Sequence, residues 1–216
     1  MSLSTMLLQL SGGLVKSTGI FIWTLVFSLP LGLLVAFGRM SKNSLLRTFI
    51  KVYISIMRGT PLMLQLLVVF YGPYYLFEWS IGGPYRYIAI LLGFSINYAA
   101  YFAEIYRSGI ESMPLGQYEA AKILGYSKTQ TFVRIIFPQV IKRVLPSITN
   151  EVITLVKDTS LAFALVYMEM FSIAKQIAAA ETSMMPFVIA GVFYYIFNLV
   201  VALTMEHIEN RLRYYR

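Results

Sequence analysis

Two uncharged apolar stretches constrain the fold of this chain more than any other feature of its sequence. Residues 17–38 and 182–205 comprise 22 and 24 amino acids, and neither stretch carries a charged side chain. A helix needs roughly 20 mostly apolar residues to cross the hydrocarbon core of a bilayer. The chain is 58% hydrophobic and 13% charged, whereas soluble domains average about half apolar and about a quarter charged. These features predict an all-α integral membrane protein.

Three less regular apolar stretches extend the prediction to about five transmembrane helices within a single domain, residues 1–216. The three stretches cover residues 52–77, 87–105 and 144–168. The first contains the sequence Arg-Gly-Thr-Pro-Leu at positions 58–62, and proline removes a helix hydrogen bond and clashes with the preceding turn. A broken helix persists in a membrane only where protein or a water-filled cavity surrounds it. The break therefore indicates either a packing kink or a cavity wall.

The last of these stretches is interrupted by polar side chains. They are Asn150, Glu151, Thr154, Lys157, Asp158, Thr159 and Ser160. The following segment, residues 168–182, carries three charged side chains and is predicted to form an amphipathic helix that lies on the membrane surface.

The distribution of lysine and arginine predicts the orientation of the chain. Thirteen basic residues lie in the loop after the first span, at Arg107 and in the middle loop 108–143 that follows it, and in the C-terminal tail, against three on the opposite side. Cytoplasmic loops carry the excess of lysine and arginine, so we expect the C-terminus inside and the N-terminus outside. The net charge of +8 therefore reflects topology, and no nucleic-acid partner is expected.

The sequence has no pattern typical of an enzyme. It lacks a G-x-x-x-x-G-K segment, so the chain is not expected to bind nucleotide in a P-loop. It has no cysteine and one histidine, His207, which is interpreted as a solvated tail residue. We therefore expect no catalytic residues, no metal site and no cofactor in this chain.

Two polar stripes mark candidate ligand positions within the predicted spans. Glu151, Thr154 and Asp158 share one face of a helix, and Asn97 and Glu104, seven residues apart, share another. Ionisable groups inside a membrane are costly, so they indicate function unless a protein partner neutralises them. The alternative is interhelical bonding, for example between Asp158 and a basic partner such as Arg58. An ion pair is the favoured interpretation for Glu104, and ligand binding is favoured for Glu151 and Asp158.

The middle loop contains a predicted short helix at about residues 115–124, which Ser112 or Pro114 begins and Gly125 ends. Ten residues are too few to span a bilayer. The helix is expected to use five apolar side chains for its contacts, namely Leu115, Tyr118, Ala121, Ile123 and Leu124. Periodicity leaves open whether it lies on the inner leaflet or docks with a cytoplasmic partner.

The same loop resembles the EAA signature of ABC-importer permeases. Glu119-Ala120-Ala121 is followed by three residues, a glycine, nine residues and Ile-Ile-Phe-Pro at positions 135–138, with phenylalanine in place of the usual leucine. Three further segments resemble the polar amino-acid subfamily of these permeases, the histidine, arginine and glutamine type. They are Arg-Gly-Thr-Pro-Leu at 58–62, Ala-Tyr-Phe-Ala-Glu-Ile at 100–105 and Lys-Asp-Thr-Ser-Leu at 157–161.

This resemblance implies a type I ABC importer permease in a prokaryotic cytoplasmic membrane. Such a chain is a transport subunit and not an enzyme, because ATP and magnesium bind to a separate dimer of ATPase subunits. The expected partners also include a second permease copy, identical or a sister chain, an extracytoplasmic substrate-binding protein, an amino acid and the lipid bilayer. The loop helix would be the cytoplasmic coupling helix. Its coupling residues would be Glu119, Ala120, Ala121, Leu124 and Gly125.

The expected substrate is a basic amino acid such as arginine, lysine or histidine, moved by alternating access. The candidate binding residues are Asp158, Glu151, Asn97, Thr60, Thr154, Thr159, Ser160 and Glu104. Two other functions stay open, an importer of glutamine or glutamate and an ATP-independent secondary transporter or channel subunit. A third interpretation, a membrane anchor or assembly factor without a transport pathway, would explain the polar fourth span as packing.

Overall fold

The computed structural model describes residues 1–212, which are helical through most of their length. The last four residues, including Arg213 and Arg216 of the basic tail, lie outside the described residues. The prediction of an all-α protein is confirmed. The helices are α1 (Leu3–Arg39), α2 (Ser44–Gly59), α3 (Leu62–Phe77), α4 (Gly83–Glu111), α5 (Leu115–Ile123), α6 (Lys128–Thr131), α7 (Phe137–Asp158), α8 (Met170–Glu181) and α9 (Met185–Leu212).

Three helices within residues 1–212 are long and apolar enough to cross a membrane, namely α1, α4 and α9. Two bent pairs pass the same test when each is taken as one span. Helices α2 and α3 meet at 113°, and the segment Lys128–Leu165 meets α8 at 59°. The chain therefore offers between three and five spans.

The predicted span 52–77 is divided into two helices instead of one. Helix α2 ends at Gly59, Thr60 and Pro61 are extended, and α3 starts at Leu62. The reason is local, because a proline inside a helix leaves the carbonyl four residues earlier without a donor. The break predicted from the sequence at positions 58–62 is thus present, as an elbow between two helices.

Helix α1 begins at Leu3, well before the predicted start of the first span, and its N-terminal part packs against α8. Gly13 permits this contact, because a Cβ atom there would lie 2.6 Å from Cα of Met170. The apolar face of α8 is buried against α1 and α9. The apolar side chains of this segment therefore contact protein, and its position on the membrane surface stays a prediction.

Glu169, assigned from the sequence to that surface helix, is fully buried at the start of α8. Its carboxylate accepts hydrogen bonds from the backbone N–H groups of Phe171 and Ser172 at 2.7 Å each. Hydroxyl groups of Tyr194 and Ser17 donate to it at 3.2 and 3.4 Å. A carboxylate at a helix N-terminus satisfies otherwise unpaired N–H groups, so this residue joins α1, α8 and α9.

Helix α4 is the most buried of the three long helices, whereas α9 is mostly exposed. Helix α4 contacts α1, α3 and α7. The approach to α1 is close, since a Cβ atom on Gly32 would lie 2.8 Å from Cβ of Phe102. Polar residues of α4 therefore meet the protein interior, and α9 presents its apolar surface outward.

Helix α7 follows a single π-helical turn, Phe132–Ile136. Pro138 explains this turn, because it has no N–H to donate to the carbonyl of Arg134, and the N–H of Phe137 instead donates to Phe132. The helix ends at Asp158, where a 3₁₀ turn, Thr159–Leu165, replaces it. The predicted span 144–168 is thus the second part of α7 and this turn.

Candidate functional site

A cavity of about 440 Å³ lies between α4 and α7, with one wall from the end of α2. The residues that line it are Arg58, Tyr101, Glu104, Ile105, Ser108, Gly109, Ser112, Arg143, Val144, Ser147 and Glu151. Small-molecule sites typically enclose about 300–1,000 Å³, so an amino acid would fit. Gly109 keeps the helices close, because a Cβ atom there would collide with the side chain of Val144.

The two predicted polar stripes meet in this cavity, through one carboxylate from each. Glu104 reaches it from α4 and Glu151 from α7. Glu104 is already neutralised, because the guanidinium of Arg107 lies 2.7 Å from its carboxylate and that of Arg39 lies 3.9 Å away. The ion-pair interpretation therefore describes Glu104.

Glu151 has no salt bridge within 4 Å among residues 1–212, and neither has Arg58. The guanidinium of Arg58 lies over the ring of Tyr101, 5.3 Å from its centroid. The other cation on the wall, Arg143, donates at 2.6 Å to the carbonyl of Ser112 at the end of α4. Among the charged groups on the cavity wall, Glu151 and Arg58 thus have no close ionic partner in the described part of the chain, and Arg143 bonds to neutral groups only.

Asp158 lies seven residues beyond Glu151 on α7, about 10 Å along the helix axis, and it does not line the cavity. Its carboxylate accepts a hydrogen bond of 2.7 Å from the hydroxyl of Tyr98 on α4. The proposed partner Arg58 does not contact it, so the alternative of an Asp158–Arg58 ion pair is wrong in this structure. Asp158 instead makes an interhelical hydrogen bond with a tyrosine.

Asn97 and Thr60 belong to a hydrogen-bonded network at the elbow between α2 and α3. Because Pro61 has no N–H, the carbonyl of Met57 needs another donor. The amide nitrogens of Asn97 and Gln65 both lie 3.0 Å from that carbonyl. Asn97 also donates to the amide oxygen of Gln65 at 2.9 Å, and Gln65 donates to the Thr60 hydroxyl at 2.8 Å. Both candidate ligands thus stabilise the elbow.

Gln65 is the member of this network that is not among the residues predicted from the sequence. The available signal was chemical, because Gln65 is the one amide in the otherwise apolar and aromatic helix α3, four residues after a proline. A buried amide in a membrane helix usually finds a polar partner. Neither the partner nor the carbonyl it satisfies is visible from spacing along the chain.

Loss of Gln65 should destabilise the elbow. In Gln65→Leu the amide of Asn97 and the carbonyl of Met57 each lose a partner, and an unsatisfied buried polar group costs about 1–3 kcal/mol. We expect the melting temperature of the solubilised protein to fall by about 3 to 10 °C. The matched control is Gln9→Leu, since Gln9 is exposed. Equal melting temperatures for both variants would contradict a stabilising role for the network.

The three remaining candidate ligands bond to the backbone of their own helical segment. The hydroxyls of Thr154, Thr159 and Ser160 donate over 2.8–2.9 Å to carbonyls three or four residues earlier. Thr159 is fully buried. None of the three lines the cavity, so only Glu104 and Glu151 of the eight predicted residues lie on its wall.

Helix α5 projects its largest apolar side chains away from the protein. Leu115, Ile123 and Leu124 are 77%, 86% and 73% exposed, whereas Ala121 is buried. Of the five side chains predicted to make apolar contacts, only Tyr118 and Ala121 contact this chain substantially, because they lie on the inward face of the helix. Among the predicted coupling residues, the exposed ones are Glu119, Ala120, Leu124 and Gly125.

Gly125 ends α5 in a left-handed conformation, with φ of +78°. The N–H of Tyr126 donates to the carbonyl of Ala121 at 3.0 Å, and that of Gly125 to Lys122 at 3.1 Å. This pair of bonds is the Schellman arrangement, which requires a residue with positive φ and favours glycine. The sequence prediction that glycine closes this helix agrees with the geometry.

Comparisons with known proteins identify the family. The model for binding-protein-dependent transport system inner membrane components matches residues 28–214. The L-cystine transport system permease protein of Bacillus subtilis is 36% identical, over 95% of this chain and 87% of that protein. A putative glutamine transport system permease protein of Rickettsia bellii is also 36% identical, over 87% of this chain and 85% of that protein.

A solved structure has the same fold. The crystal structure of an amino acid ABC transporter with histidines contains a chain of 27% sequence identity, which matches with a TM-score of 0.86 over 98% of this chain and 99% of that one. These matches confirm the predictions of a type I importer permease fold and of a transport subunit that is not an enzyme. The chain belongs to the family of binding-protein-dependent transport system inner membrane components.

Proposed function

We propose that this chain is the permease subunit of an ATP-driven importer that moves a polar, basic amino acid across a prokaryotic cytoplasmic membrane. The observation that carries the proposal is the cavity between α4 and α7, which joins an amino-acid-sized volume to unpaired opposite charges. In this proposal a binding protein delivers the substrate outside, and the cavity opens alternately to each side. ATP shifts that equilibrium because nucleotide binds the two states with different affinity.

The exposed apolar side chains of α5 support a separate ATPase partner. Three large apolar side chains on one short polar loop form a surface that water does not favour. The chain has no P-loop sequence of its own, so ATP would be hydrolysed on the partner. The excess of basic residues in this loop supports a cytoplasmic location for it and for the C-terminus, with the N-terminus outside.

The outer face of α7 supports a second permease copy. Asn150, Thr154 and Lys157 recur at helical spacing and are all exposed. Polar side chains at membrane depth normally face protein or a water-filled cavity and not lipid. A second copy, identical or a sister chain, would cover this face and enclose the pathway.

Glu151 supports a basic substrate, because a carboxylate without a close cation complements the side chain of arginine, lysine or histidine. The solved relative described with histidines favours the same substrate class. The relative named for glutamine favours the second candidate, an importer of glutamine or glutamate. Amino-acid-stimulated ATPase activity of the reconstituted complex, measured across a panel of side chains, distinguishes the two candidates.

Neutralising Glu151 should remove stimulation by arginine. Loss of one partner from a desolvated charge pair costs on the order of several kcal/mol, and each 1.4 kcal/mol is about tenfold in affinity. We expect Glu151→Gln to raise the half-maximal arginine concentration at least about 100-fold. Asp158→Asn should have a smaller effect, since Asp158 bonds to Tyr98.

The control for these variants is Glu206→Gln, which removes a carboxylate from the exposed part of α9. Unchanged arginine stimulation in the double variant Glu151→Gln, Asp158→Asn would refute a basic substrate. Failure of the solubilised protein to co-purify any ATPase, together with uptake in vesicles that lack ATP, would favour an ATP-independent transporter. Absence of uptake under every condition would favour a membrane anchor.

A further inference from the structure

Arg58 lines the cavity and is not among the binding residues predicted from the sequence. It is the second-last residue of α2, and the elbow at Thr60 and Pro61 directs the chain away immediately after it. Its guanidinium faces the cavity and lies 5.3 Å from the ring centroid of Tyr101. An arginine over an aromatic face is held in orientation by a cation–π interaction, so its charge has a defined position.

The other charged groups of the cavity leave Arg58 available. Glu104 is bound by Arg107 and Arg39, and Arg143 donates to the carbonyl of Ser112. Only Glu151 carries a charge that could compensate Arg58, and it lies beyond the 4 Å limit of a salt bridge within the described part of the chain. An ionisable group without an ionic partner, on a cavity wall between helices of a membrane protein, indicates a functional ligand.

The chemistry of the two residues matches the two ends of a basic amino acid. A guanidinium presents N–H donors in a planar fork that fits a carboxylate with two parallel hydrogen bonds. The carboxylate of Glu151 offers acceptors to a cationic nitrogen. One positive and one negative group on the wall of a single cavity therefore complement a ligand with separated opposite charges.

We infer that Arg58 binds the α-carboxylate of the transported amino acid, with Tyr101 holding the guanidinium in place and Glu151 binding the cationic side chain. This inference rests on the proposed function and adds a second determinant to it. Selection would require both a cationic group and a carboxylate, so an amine that lacks the carboxylate would be a poor ligand.

The test compares each basic amino acid with its decarboxylated amine. L-arginine, L-lysine and L-histidine are paired with agmatine, cadaverine and histamine, and binding to the purified permease–ATPase complex is measured by equilibrium dialysis. The substrate-binding protein is left out, so that its own selectivity does not contribute. The wild-type complex should prefer the best-bound amino acid over its amine by about 10- to 100-fold, the range for a charge-assisted hydrogen bond.

Arg58→Gln should weaken amino-acid binding by about the same factor and leave amine binding unchanged, so that the preference disappears. Arg58→Lys should keep part of the preference, because the ammonium retains the charge but not the planar fork. The matched control is Lys51→Gln, which removes a cation seven residues earlier on the same face of α2 and outside the cavity lining. This control should retain the wild-type preference.

The outcomes separate the inference from the proposed function. If the wild-type complex binds no amino acid of a full panel, the proposed function fails. If it binds an amino acid and Arg58→Gln keeps the wild-type preference over the amine, the inference fails and the function stands. If Arg58→Gln weakens amino acid and amine equally, Arg58 acts on the shape of the site, and the inference fails as well.

Discussion

Gly125→Val should abolish amino-acid import while the permease still folds and inserts into the membrane. Gly125 has a φ of +78°, and a left-handed conformation costs an ordinary L-residue roughly 1–2 kcal/mol. A β-branched side chain is among the least tolerant of positive φ. Steric crowding is not the cause of the expected loss of import, because no neighbouring atom lies within 4 Å of the position that a Cβ of residue 125 would occupy.

The valine substitution should therefore act on the end of α5 itself. The two Schellman hydrogen bonds, from Tyr126 to Ala121 and from Gly125 to Lys122, depend on the left-handed residue. Without them the last turn of a nine-residue helix loses its termination, and Ile123 and Leu124 lose their fixed positions. In the proposed function those side chains transmit the motion of the ATPase, so hydrolysis should continue without import.

Two variants control for this prediction. Gly125→Asn places a side chain of similar size at the same position, and asparagine tolerates the left-handed conformation, so import should largely persist. Gly116→Val adds the same valine within α5, at a site that has neither a positive φ nor a close neighbour. Uptake of substrate and ATP hydrolysis are measured together in proteoliposomes. Full-rate import by Gly125→Val would contradict a coupling role for this turn.

Leu124→Asp should weaken the association between permease and ATPase by at least about 100-fold. Leu124 is 73% exposed in the isolated chain, and burying a leucine side chain in an interface contributes roughly 1.5–3 kcal/mol. A buried aspartate without a partner adds a desolvation cost to that loss. A central interface residue of this kind typically accounts for 2 kcal/mol or more.

The association is measured by co-purification of the ATPase and by titration of the two solubilised components. The matched control is Thr129→Asp, which adds the same charge to an exposed position of the same loop without removing an apolar side chain. Aspartate near the start of α6 suits the helix dipole, so this control should fold and bind normally. Equal affinity for both variants would mean that the exposed apolar face of α5 lies on the membrane and not on an ATPase.

Local features of the sequence predicted a large part of this fold. The two uncharged stretches required membrane helices by length alone, Pro61 required a break, and Gly125 required a helix end. Each of these features acts on the backbone within one helical turn of its own position, so spacing along the chain was sufficient. The elbow angle of 113° and the burial of α8 involve distant residues, and no local pattern contained them.

The candidate site shows the same division between what local sequence features predict and what contacts between distant residues decide. Composition and periodicity determined that this is a helical membrane protein with acidic groups in its spans. Only the tertiary structure decided that Glu104 also lies near Arg39 of α1, that Asp158 accepts from Tyr98 and that Asn97 supports the elbow. The physical reason is that a polar group inside a membrane needs a partner of any kind, protein or ligand. The sequence reveals that each of these polar groups needs a partner. The packing of the helices determines which side chain supplies that partner.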